Sequence, residues 1–303
     1  MNDKMLAIED NRKRLHGTYK KELTSGVLFL AGGILVLLAY LATEFNWVLV
    51  IAIVLGVVAL VMFGRAQVHV KTFKQLIKGE FIQLVLRDMF DNVVYAHHGS
   101  IPMQTIVQTG MVKRPDRYRG EDYISGRYKE VDFEVADVEM KERVERRDSK
   151  GNRTVTYQTY FKGRWYIYKF ERAFEGTLKL SQGRGFHMQT RGLEKIDTES
   201  IVFNKKFAIF ASSKEYAFYH LTPRIIEKFG ELEAMHRGQI MFYFHDNELH
   251  VGVNDRKDYL ELPLNKAVND QSLKDFQADI DLIPAIINEM RLDSRKFKKE
   301  ERI

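Results

Sequence analysis

Few residues in this chain have types and spacings that could do chemistry. His97 and His98 are adjacent, so on a helix or a strand their rings diverge and do not readily chelate one metal ion. His245 and His250 flank a turn signal and could approach each other, but neither pair has the carboxylate spacing of a motif such as H-E-x-x-H. Glu121 and Asp122 sit in a glycine-bounded stretch beside Arg117, Arg119 and Tyr123. An acid–base pair needs both carboxylates on one wall of a pocket, whereas neighbours in a strand face opposite ways. A loop salt bridge or an Asx-type turn is the expectation there. Gly183-Arg184-Gly185 lacks the further glycine, the lysine and the strand-to-helix context of a phosphate loop. No G-x-S-x-G elbow accompanies the Ser, His and Asp residues. The chain has no cysteine, which excludes disulfides, thiolate metal sites and cysteine nucleophiles. Glu121, Asp122, His245 and His250 are therefore weak polar-site candidates. No catalytic, cofactor-binding or metal-ligating residue is assigned, and no cofactor is expected.

The elements that would position such residues begin with two uncharged apolar runs, Leu23–Thr43 and Trp47–Gly64. At about 1.5 Å rise per residue, each crosses most or all of a hydrocarbon core roughly 30 Å thick. Only Glu44, Phe45 and Asn46 separate them, which forces an antiparallel helical hairpin. Arg12, Lys13, Arg14, Lys20 and Lys21 precede the first run, and Arg65 follows the second; the link has no Lys or Arg. That bias predicts a multi-pass protein of the cell (inner) membrane with both termini cytoplasmic. Trp47 suits the far interface. A signal peptide fits poorly, because the polar lead is long and a second run follows at once. Gly26, Gly32, Gly33, Ala52, Gly56 and Ala59 offer small surfaces for close helix approach.

The 303 residues include 47 Lys and Arg against 41 Asp and Glu, a formal charge of +6. This excess lacks the concentrated basic face of a nucleic-acid binder, so no nucleic-acid partner is expected. The mixed charge runs KERVERRDSK and SRKFKKEER read as solvated surface.

Residues 66–94 read as a helix leaving the membrane, with Phe73, Leu76, Ile77, Phe81, Leu84, Val85 and Met89 on one stripe. A short helix is expected near Ser100 and Pro102. RPDRYRGEDYISG reads as a loop, and Val131, Phe133 and Val135 begin a half-buried strand. A turn over 148–152, then strands over 154–161, 164–170 and 176–180, make an antiparallel meander. Residues 201–212 read as strand, and 215–233 as a helix interrupted at Pro223 with Thr222 as cap. A hairpin around Asp246-Asn247 and a last helix over 272–292, kinked at Pro284, complete the chain.

The order of these segments resembles a bacterial family of two-span membrane proteins classed as a domain of unknown function. The resemblance is carried by YRGEDYISGRY, FKGRWYIYKF…FEGTLKL, VFNKKFAIFASSKEYAFYHLTP and IMFYFHDNELHVGV. Members are sometimes neighbours of LemA-type proteins, membrane-anchored helical proteins. The resemblance implies a membrane protein with a cytoplasmic mixed α/β part and supplies no catalytic residue.

The reading is an α+β protein. Residues 1–22 form a basic cytoplasmic segment, 23–64 the hairpin, 65–110 linker helices, 111–292 the cytoplasmic domain with a subdivision near 181–200, and 293–303 a charged tail. The expected function is that of a membrane-anchored, non-enzymatic interaction or scaffold protein. Its partners are the lipid bilayer and a protein, with a LemA-type protein as candidate. The alternative is a membrane-tethered enzyme or small-ligand-binding domain with a pocket in the α+β region.

Overall fold

The computed structural model describes residues 2–147, 151, 153–183, 188–235 and 238–299. The turn expected over 148–152 falls outside these apart from Gly151, as do Arg184 and Gly185. The chain divides into two compact units: Met1–Val85 with Leu260–Gln277, and Leu86–Tyr259 with Ala278–Ile303.

In the first unit, α1 (Asn2–Thr43) and α2 (Asn46–Leu76) form the expected helical hairpin. The basic lead before Leu23 belongs to the same helix as the apolar run. Both helices are long and apolar enough to cross a membrane. They pack through small residues: Ala52, Ala59 and Ala66 are buried. A Cβ on Gly33 would meet the Leu55 Cβ at 3.4 Å and the Ala52 carbonyl oxygen at 3.5 Å. Beyond the runs α2 continues through a π turn (Ile77–Phe81) into α3 (Ile82–Met89). Phe81 meets Phe276 edge-on at 5.1 Å, from α8 (Asp270–Ile280). Lys74 and the buried Lys78 both reach Glu261, at 2.7 and 2.8 Å.

Among the described residues the sheet of the second unit has seven strands in the order β1-β2-β3-β4-β6-β5, with β7 also paired to β4. These are β1 (Asp91–Ala96), β2 (Arg117–Tyr128), β3 (Val131–Arg147), β4 (Arg153–Gln182), β5 (Glu194–Lys195), β6 (Phe207–Ala211) and β7 (Gln239–Asn254). All the strand pairings are antiparallel. The short helices are α4 (Met103–Gln108), α5 (Ile201–Lys206), α6 (Lys214–His220), α7 (Pro223–Met235) and α9 (Leu282–Met290), with a 3-10 turn at Arg295–Phe297. One core cluster joins Ile101 and Ile106 to sheet residues including Val138, Phe161 and Trp165, all essentially inaccessible.

Several local expectations are corrected. The helix read over 66–94 stops at Met89, because the β-branched pair Val93-Val94 and Tyr95 belong to β1 and its ladder with β2. RPDRYRGEDYISG is mostly strand β2, not loop; its two glycines lie in the ladder against β3. Residues 154–180 are one strand rather than three. Gly163 interrupts nothing: a Cβ there would collide with the Val253 carbonyl oxygen, so the glycine marks a close approach of β7 at φ +154°. Asp246-Asn247 is no hairpin turn. β7 runs through it with Asp246 at φ +52°, opposite an irregular stretch of β4 between Lys169 and Thr177. Residues 201–206 are helical because the Ser200 hydroxyl accepts the Phe203 amide at 3.2 Å and caps α5. The break at Pro223 is as expected, with the Thr222 hydroxyl near the Ile225 amide at 3.4 Å. The last helix divides into α8 and α9 at Asp281, ahead of Pro284.

Candidate functional site

β1 and β2 bring Tyr95, His97 and Asp122 together. Asp122 lies at a bulge of β2, at φ +56°, where the alternation breaks and its carboxylate turns inward to 1% exposure. Its Oδ1 accepts the Tyr95 hydroxyl at 2.5 Å and lies 2.9 Å from His97 Nδ1. Its amide donates to the His97 carbonyl at 2.9 Å. The bulge keeps the Glu121 carboxylate near that of Asp122, and Glu121 also meets the Arg119 guanidinium at 3.3 Å. His97, Glu121 and Asp122 offer ligand atoms within 4.8 Å of one another, a nitrogen and two oxygens of the kind zinc accepts. The Asp122 oxygen and His97 Nδ1 are, however, already spent on each other and on Tyr95. A His–Asp pair also orients an imidazole as a base, but among the described residues no hydroxyl nucleophile bonds His97. In the sequence His97 and the acidic pair stand far apart, and only the strand register joins them.

The other two candidates lie on β7 with no turn between them. His245 is exposed, with Nδ1 3.1 Å from the Thr177 hydroxyl and 3.0 Å from the Gly176 carbonyl. His250 is buried, 3.2 Å from the Trp165 indole nitrogen and 3.0 Å from Glu248. The hydrogen bond from His250 is the main cause holding Glu248 below the usual carboxylate range.

A buried ion pair escapes the sequence reading. Arg164 is fully inaccessible; its Nε meets Asp137 Oδ1 at 2.6 Å and its Nη1 donates to the Asp279 carbonyl at 2.8 Å. The guanidinium lies 4.0 Å from the centre of the Tyr259 ring. In the sequence Arg164 opens an aromatic strand and carries no signal of burial.

Among the basic residues flanking the hairpin, Lys13, Arg14, Lys20, Lys21 and Arg65 are wholly or partly exposed, as is Trp47. Arg12 differs: it is buried, pairs with Glu9 at 2.7 Å and donates to the Leu264 carbonyl at 3.0 Å. The bond from Arg12 is the chief cause holding Glu9 below its ordinary range, and Glu9 also accepts the Val268 amide at 2.7 Å.

The second unit also holds a cavity of about 670 Å³ between the end of α6, the start of α7, β7 and the segment after α9. His220 forms part of its wall, buried to 3% exposure. Burial among Phe174, Tyr216, Tyr219 and Phe244 pushes its imidazole down to about 3, so it is neutral at physiological pH.

Fold and site together define an α+β protein with a long apolar helical hairpin and no complete catalytic constellation among the described residues. Residues 159–292 match a family described as "Protein of unknown function (DUF3137)", so this region is similar to a domain of unknown function. Among solved structures, the mycobacterial trehalose monomycolate transport factor A, TtfA, aligns with a TM-score of 0.37 at 6% identity. The alignment covers 69% of this chain and 94% of that one. A likeness of that size carries no weight for function. No curated protein matches the chain.

Proposed function

We propose that this protein is a membrane-anchored interaction module: the hairpin of α1 and α2 spans the bilayer, both termini are cytoplasmic, and the sheet-bearing unit binds a protein partner. The observation that carries the reading is the surface of the hairpin. Leu28, Leu35, Leu41 and Leu60 are each more than two-thirds exposed, on helices whose outer faces are apolar throughout their central runs. In water such a surface is a liability; in hydrocarbon it needs no cover. The polar candidates support a binding rather than a catalytic role, because Asp122 and His250 use their hydrogen-bonding capacity within the fold. Edge strand β1 offers an outer side with Val94 exposed, a surface to which a partner strand can add.

The chain has no native cysteine, so single-cysteine labelling tests the topology directly. A membrane-impermeant maleimide applied to intact cells should modify Phe45→Cys and spare Lys274→Cys until the cells are opened. The reverse pattern, or recovery of the whole protein in the soluble fraction, sinks the proposal. Cross-linking from Val94→Cys to a co-expressed LemA-type protein tests the first partner to try.

A further inference from the structure

The cavity beside α7 has a composition that the interaction reading does not use. Four cations line it: Arg224, Arg291, Arg295 and Lys296. Among the described residues the one acid in the lining is Asp293, and the three arginines form no ion pair. Lys296 gives one hydrogen bond, to the Tyr219 carbonyl at 2.9 Å, and burial pulls its ammonium down to about 8, which leaves it mostly charged at neutral pH.

The same wall carries the start of α7. This helix begins at Pro223 with Thr222 as its cap, and its first-turn residues Arg224 and Ile225 line the cavity. The positive end of a helix dipole is thereby added to the side-chain charge. An independent observation points to a ligand. His220 is buried and lines the cavity, yet neither Nδ1 nor Nε2 has a hydrogen-bond partner among the described residues. A neutral imidazole needs one acceptor and one donor, and leaving both nitrogens unpaired is costly. Phe244 and Phe297 supply an apolar wall on the same cavity.

We propose that this cavity is a binding site for a phosphate monoester, with Arg224, Arg291, Arg295 and Lys296 around the phosphate and His220 hydrogen-bonded to it or to its ester oxygen. Arginine forks match the geometry of phosphate oxygens, and an excess of three positive charges suits a dianion better than a single carboxylate. The apolar wall favours an ester carrying a hydrocarbon or aromatic body over bare phosphate. That chemistry occurs both in free phosphorylated metabolites and in the headgroup of phosphatidic acid. The site stands independently of the partner-binding reading above.

The test uses the full chain in phosphatidylcholine nanodiscs, titrated with phenyl phosphate and with inorganic phosphate by calorimetry. Phenyl phosphate should bind saturably and more tightly than inorganic phosphate. Arg224→Ala and Arg295→Ala, both exposed and without an ion pair among the described residues and so expected to fold normally, should each weaken it by about tenfold or more. His220→Phe, which keeps an aromatic ring and removes both nitrogens, should weaken it too. A second titration in discs that include phosphatidic acid separates the sources. Loss of the phenyl phosphate signal there assigns the site to the lipid headgroup, and its persistence assigns it to a free ester. No binding of phenyl phosphate in phosphatidylcholine discs, or equal affinity in the wild type and both arginine variants, overturns the proposal.

Discussion

The indole nitrogen of Trp165 stands 3.2 Å from Nδ1 of His250, and this single bond fixes the imidazole. An indole N–H can only donate, so Nδ1 must be the bare nitrogen and Nε2 carries the proton that Glu248 accepts at 3.0 Å. Trp165 is a fully buried member of the core, so His250 satisfies a donor that has no route to water.

His250→Ala should therefore destabilise the protein by about 1–3 kcal/mol by stranding the Trp165 N–H. His245→Ala, at an exposed position on the same strand, should fall within about 0.5 kcal/mol of wild type. Urea titrations of the two variants, followed by tryptophan fluorescence, compare them directly. Equal effects would refute the structural role given to His250.

The glycines of β4 and α7 should respond in opposite directions. Gly163→Ala drives a Cβ onto the Val253 carbonyl at a positive φ and should cost about 2–4 kcal/mol. Gly230 lies within α7 with open space where a Cβ would stand, so Gly230→Ala should stabilise by roughly 0.5–1 kcal/mol. Thermal melts of the detergent-solubilised protein give both signs in one experiment.

Arg12 should separate structural charge from topological charge. Arg12→Ala removes the partner of a half-enclosed Glu9 and should lower stability by about 2–4 kcal/mol. Orientation should be unaffected, because Lys13, Arg14, Lys20 and Lys21 carry the bias. A topology reporter and a melting curve on the same variant read the two effects separately.

His220 predicts a pH dependence. Its folded value near 3 lies below its ordinary value of 6.5, with burial as the main cause and Lys296 adding repulsion. Between those values the unfolded chain holds the proton and the folded chain does not. The contribution of His220 is therefore complete above pH 6.5 and is lost as pH falls toward 3, by at most about 4–5 kcal/mol. In His220→Phe the urea midpoint should fall less steeply with acidification over that window. An unchanged slope would show that the imidazole is more hydrated than the fold implies.

How much of this was legible depended on the range of the signal. The uncharged runs around Leu30 and Leu55 announce helices by composition alone, and the alternation of Val131, Phe133 and Val135 announces β3. Gly163 and Asp246-Asn247 mislead because residues that favour turns also serve a close strand approach at the first and an irregular ladder at the second, and only the partner strand distinguishes these from a turn. Ile201-Val202 reads as strand until the Ser200 cap is seen to compete. The grouping of Tyr95 and His97 with Asp122 depends on the pairing of β1 with β2 and on a bulge that reverses one side chain, neither of which is written in local spacing. The basic cavity was less accessible still, since its lining comes from segments scattered between His220 and Phe297.

The length of β4 has a consequence for the order in which the molecule can be made. Its pairing with β3 is local and can close as soon as Lys169 has been synthesised. The opposite side of Arg164–Ser181 must wait for Met241–Val253, roughly 60 to 90 residues later in translation. During that interval the Trp165 indole has no His250 to accept its N–H. A ribosome stalled between α6 and β7 should thus expose a long unmated strand, which makes this interval the point at which the growing chain is most open to aggregation and to capture by chaperones.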